Sequence, residues 1–148
     1  MAAVATQILI DGPRNTVAKT SGDFLMSALP TGITILDPAL LTSMDPGKAG
    51  TFLATTLRID VIDYSISDGI TVQLFWDATT PVLIAELYGR GKLDLKPFGG
   101  WQNNAGAGNT GKITFTVILA DNSTNTFNGT ILLNIWTVKQ RLLSLGGA

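Results

Sequence analysis

The segment Gly106-Ala-Gly-Asn-Thr-Gly-Lys-Ile113 places Gly106, Gly111 and Lys112 where a phosphate-binding P-loop carries its two glycines and its lysine. That chemistry needs a strand before the loop, a helix after it, and a hydroxyl to hold magnesium. Ile113 stands in the hydroxyl position, and Lys112 runs straight into the alternating Ile-Thr-Phe-Thr-Val pattern of a strand. The segment therefore reads as an inter-strand loop with a chance match. Asp60, Asp63 and Asp68 are close enough in sequence to offer oxygens to calcium, but the spacing and glycine hinge of an EF-hand loop are missing, and solvated strand edges are the expectation. Glu86 and Asp94 are the one arrangement that resembles a glycosidase acid pair. The chain has no His and no Cys, so zinc fingers, iron-sulfur clusters, thiol nucleophiles and the common imidazole base are excluded by inventory. Its Ser and Thr hydroxyls lack a His partner, and neither Lys19 nor Lys48 sits in a Ser-x-x-Lys pattern. No enzymatic activity, cofactor or metal is expected.

Trp101, set between Gly99-Gly100 and Gln102-Asn103-Asn104, is the remaining candidate. An aromatic on a polar loop stacks on a sugar or anchors a protein partner, and Trp is enriched among interface hot spots. The competing reading folds Trp101 back over one end of the fold, clustered with Phe98, because large aromatics are buried on average. Trp101, Gln102, Asn103 and Asn104 form the candidate partner-binding set.

The framework that carries these residues reads as strands. Ten of the eleven acidic residues are Asp and only Glu86 is Glu, while Thr, Val and Ile are abundant, a composition that favours strands over helices. Ile70, Val72, Leu74 and Trp76 alternate onto one face, as do Ile113, Phe115, Val117 and Leu119, the pattern of half-buried strands. Leu57 to Val61 alternates on odd positions and Ile62 to Ile66 on even ones, which predicts a β-bulge between Val61 and Ile62. Further strands are expected over Gln7–Asp11, Thr16–Thr20, Gly32–Leu36, Pro81–Tyr88, Leu93–Lys96 and Thr130–Lys139, separated by turn-forming clusters such as Asp11-Gly-Pro, Asp68-Gly and Gly89-Arg-Gly. One short helical piece fits Pro38–Met44, with Asp37 as cap and Pro38 in the first turn. Eight or nine short strands at this spacing predict an all-β, antiparallel β-sandwich, jelly-roll-like rather than immunoglobulin-like.

At 148 residues the expectation is a single domain, residues 1–148, with short arms at 1–7 and 142–148. Charged residues are 14% of the chain, where about 25% is usual, and a surface low in charge suits coverage by partners. Ten basic against eleven acidic residues, with no run of either sign, remove the counterion-release term that drives nucleic-acid binding. No stretch reaches the length of a membrane span and the N-terminus lacks a basic, apolar leader, so neither nucleic acid nor membrane is an expected partner, and export through a cleaved leader is not expected. Asn122-Ser-Thr and Asn128-Gly-Thr match glycosylation acceptors, which matter only in a secretory pathway.

Four segments, Ile8–Val17, Leu57–Asp60, Gly69–Val82 and Phe98–Gly111, together resemble a group of small tailed-bacteriophage virion proteins. The resemblance spans roughly Ile8 to Lys139. It implies a β-sandwich particle protein, made in the host cytoplasm and located in the virion at the capsid surface. There it would act as a decoration or cement protein, bound to the major capsid protein as a homo-oligomer. The alternative it leaves open is a tail, baseplate or head-fibre component with a glycan- or receptor-binding loop.

Overall fold

The computed structural model describes residues 3–24, 29–45, 47, 53–119 and 129–140. Within them the chain forms β1 (Ala3–Asp11), β2 (Asn15–Phe24), β3 (Ile33–Leu36), β4 (Thr56–Ile66), β5 (Ile70–Trp76), β6 (Val82–Leu87), β7 (Arg90–Asp94), β8 (Ile113–Leu119) and β9 (Gly129–Gln140). The strands build a five-stranded sheet in the order β1-β2-β9-β4-β7 and a four-stranded sheet in the order β3-β8-β5-β6. Every described pairing is antiparallel. From β2 to β9 the chain crosses between the sheets at every connection except the β5-β6 hairpin. That is the eight-stranded jelly roll, with β1 added to one edge.

Alternation makes the core. Ile70, Val72, Leu74 and Trp76 of β5 and Ile113, Phe115 and Val117 of β8 turn inward, against Leu57, Ile59 and Ile62 of β4 and Leu133 and Ile135 of β9. Each such side chain, removed from water, contributes about 1.5–3 kcal/mol. Leu119, expected on the same face, ends β8 and stays 41% exposed. Two glycines pair across strands with aromatics: Gly91 with Tyr64 and Gly129 with Phe24. A Cβ on Gly129 would lie 2.6 Å from Phe24 Cε2, and one on Gly91 2.6 Å from the Tyr64 hydroxyl, so these strands spend a side chain to let a ring lie flat.

Several expectations shift. The bulge lies between Ile59 and Val61, not between Val61 and Ile62. Ile59 and Ile62 face the core, Asp60 is the extra residue, and Val61 faces outward. Val61 is buried on the outer face, where it pairs directly with Trp136, and its apolar character mimicked a core position. The expected arm 1–7 is, over residues 3–7, part of β1, held to β2 by main-chain pairing and by a hydrogen bond of 2.8 Å between the Thr6 and Thr20 hydroxyls. The expected arm 142–148 lies outside the described residues, as do both glycosylation-like sequences in their Asn positions. Strand β7 runs over Arg90–Asp94 rather than Leu93–Lys96, because the turn closes at Gly89, whose carbonyl accepts from Ile66 N at 2.8 Å. The helical piece is a single 3-10 turn, Pro38–Leu40, in which Asp37 accepts from Ala39 N as expected; the backbone is extended again at Leu41.

On its outer face the five-stranded sheet carries an apolar row at one end. Register places Ile10 beside Val17, Val17 beside Trp136, and Trp136 beside Val61. Val17 and Val61 are buried yet lie outside the core cluster. Leu9, the extra residue where the β1-β2 register shifts, sits next to this row.

Candidate functional site

The bulge at Asp60 decides where the loop after β7 goes. Strand β7 follows β4 as far as Asp94 opposite Val61. Leu95 N then donates to the Asp60 carbonyl at 2.7 Å, a 3-10 turn over Lys96–Phe98 steps around the bulge, and Trp101 rejoins β4 as a bridge to Ile59, with N···O distances of 2.8 and 3.0 Å. Gly100 makes the return possible. Its φ is +78°, and a Cβ there would stand 2.7–2.8 Å from Asp60 Oδ1 and from the Arg58 chain. Those two side chains are joined by an ion pair of 2.9 Å. Trp101 is thus fixed at the backbone and packs one side against the core cluster. Phe98 does not join it and is 81% exposed.

Beyond Trp101 the loop is built rather than loose. Asn103 and Asn109 exchange side-chain hydrogen bonds of 3.0 and 3.1 Å, and their carbonyls also accept from Ala105 N and Gly111 N. Thr110 donates to Asp77 from both its amide and its hydroxyl, and Thr79 N donates to the Ala107 carbonyl, which ties the loop to the β5-β6 turn. Asn103, one of the four candidates, is therefore an internal brace. Gln102 and Asn104 are exposed, and their amides make no hydrogen bond among the described residues.

Trp101, Gln102 and Asn104 line one depression of about 150 Å³ together with Trp76, Leu83 and Ile84. It opens where β6 and the loop after β7 face each other at the side of the sandwich. The candidate set had no member from β5 or β6. Trp76 reads as core, which it is, at 2% exposed; Ile84 is the extra residue where the β5-β6 register shifts, next to Leu83 opposite Phe75, a place that alternation alone does not locate.

The other candidates stay apart. Glu86 lies on β6 and accepts from Gln73 at 3.2 Å, whereas Asp94 lies on β7 in the other sheet and accepts from Lys96 N. Asp60 is paired with Arg58, and among the described residues no group of three acids gathers around a common point. Lys112 precedes β8, with no helix following, and its amine is 4.0 Å from Asp37.

A cluster with no sequence signal joins β1 and β9. The Lys139 amine, wholly buried, contacts Asp11 Oδ1 at 2.6 Å, the Gly12 carbonyl at 2.6 Å and the Thr42 carbonyl at 2.7 Å. Thr42 returns two hydrogen bonds of 2.9 Å to Asp11 Oδ2. Partial burial pushes the Asp11 pKa up, but the hydrogen bonds from Lys139 and Thr42 and the lysine charge outweigh it, leaving the carboxyl below the ordinary aspartate value. The cluster fastens the end of β1 to β9 and to the segment after the 3-10 turn. No protein-family model, curated protein or solved structure matches the chain.

Proposed function

We propose that the chain is a structural virion protein that decorates the outer surface of a capsid lattice. It seats on the major capsid protein as a homo-oligomer and stabilises the DNA-filled head. The observation that carries this reading is strand β1. It is nine residues long, uncharged from Ala3 to Ile10, and exposes Ile8, Leu9 and Ile10 by 41, 49 and 55% at the margin of the five-stranded sheet. Sheet margins in monomers are blunted by charge, proline or short length. The other three margins follow that rule: β7 carries Arg90, Lys92 and Asp94, β3 has four residues, and β6 starts after Pro81 and carries Glu86. Strand β1 instead offers main-chain groups and apolar side chains to a partner strand. The resemblance of the chain to small phage virion proteins and its low charge agree with such an interface. Many copies on a repeating lattice convert a modest contact into strong attachment.

Particles assembled without the chain are expected to release DNA at a lower temperature than complete ones, and adding the purified chain back restores the higher value. Equal release temperatures contradict the reading. The groove beside Trp101 favours a second reading, a tail, baseplate or head-fibre component that uses this loop for attachment.

A further inference from the structure

We propose that the depression beside Trp101 is a binding site for one pyranose ring of a neutral glycan. Four features point to this ligand. The first is size: drug-sized ligands occupy pockets of roughly 300–1,000 Å³, and about 150 Å³ suits a single ring. The second is the wall, where Trp101, half-buried, combines with Leu83, 48% exposed, and with Ile84. The negative face of an indole attracts the C–H-rich face of a sugar, and the aliphatic pair covers the ring edge.

The third feature is the pair of amides. Gln102 and Asn104 alternate with the inward brace Asn103, so both amides fall on the groove side, each offering one acceptor and two donors. Sugar hydroxyls, which donate and accept, are matched to that. Both side chains are exposed and spend no hydrogen bond on the loop, so a sugar hydroxyl can replace the water on them without breaking a protein contact. The fourth feature is charge: the residues lining the depression include no Lys, Arg, Asp or Glu. That argues for a neutral saccharide over an acidic one, and against single-stranded nucleic acid, whose stacking platforms come with a basic groove.

Rigidity completes the site. The Trp101-Ile59 bridge and the Asn103-Asn109 exchange hold the loop before any ligand arrives, which lowers the ordering cost of binding. Sugar binding at this groove is a property of the isolated chain in solution and does not depend on where in a particle the chain sits.

The test is a titration of the full-length chain with oligosaccharides of glucose, galactose, mannose and N-acetylglucosamine, followed by tryptophan fluorescence and by saturation-transfer NMR. Saturable binding of at least one probe is expected with Kd on the order of 1 mM, as one ring and two amides allow. The double variant Gln102→Ala/Asn104→Ala, which removes no hydrogen bond among the described residues, is expected to weaken it at least tenfold with unchanged thermal unfolding. Trp101→Phe, which keeps a smaller ring against the core, is expected to weaken it severalfold. No saturable binding of any probe well above the millimolar range overturns the proposal, as does binding that the double variant leaves unchanged.

Discussion

Asp11 and Lys139 show how much one pair of side chains does here. A lysine with no exposed side-chain surface is tolerable only because a carboxylate and two carbonyls receive its three donors. Removing the carboxylate leaves a buried charge facing carbonyls alone, so Asp11→Asn is expected to destabilise the fold by about 3 kcal/mol near neutral pH. Because the folded carboxyl titrates below its ordinary value, this contribution is fully present above the unfolded-chain value of about 3.9. It is lost as pH falls through the folded value. Urea midpoints of wild type and Asp11→Asn should therefore draw together as pH falls below about 3.9, and a gap that stays constant on acidification contradicts the assignment. None of this was legible in the sequence. Lys139 closes a strand-like run in a place where a solvated lysine is the ordinary expectation, and its partners lie more than ninety residues away along the chain.

Strands differ in how openly they announce themselves, and the difference is physical. In β5 and β8 every second position carries a large apolar residue from end to end, so both were evident from period alone. Strand β7, Arg-Gly-Lys-Leu-Asp, has little intrinsic strand preference and forms because β4 offers an edge and Tyr64 needs a glycine opposite. Strand β1 was legible only from Gln7, since Ala3 to Thr6 carry no strong pattern and are recruited by β2. The exposure of β1 is the basis of a prediction at this level. Leu9→Asp and Ile10→Asp replace exposed side chains, so each is expected to change stability by no more than about 0.5 kcal/mol. Each is also expected to cut cosedimentation with capsids lacking the chain by at least tenfold. Thr34→Asp, an exposed change on the short margin strand β3, serves as the control and should leave cosedimentation intact. Equal loss in all three variants contradicts a specific role for β1.

At the scale of the whole molecule, the sandwich was readable because strand composition, turn spacing and period agreed, and two antiparallel sheets over one core are what those features produce. The jelly-roll order was readable only as a preference, since pairing depends on contacts between residues as distant as Thr16 and Thr137. The candidate site was half legible. Glycines around an isolated tryptophan and a run of amides pointed to Trp101, Gln102 and Asn104, but their partners Leu83 and Ile84 on β6 sit at a register shift that no local pattern betrays. The chain presents an uncharged β1 margin and a small built groove beside Trp101. The proposed lattice decoration is to be checked by the copy number of this chain per purified virus particle, measured by quantitative mass spectrometry against the major capsid subunit. A lattice decoration protein is expected at a simple ratio to that subunit, with copies in step with the repeating lattice. A count that fits only a tail or a single vertex, or absence from the particle, contradicts it.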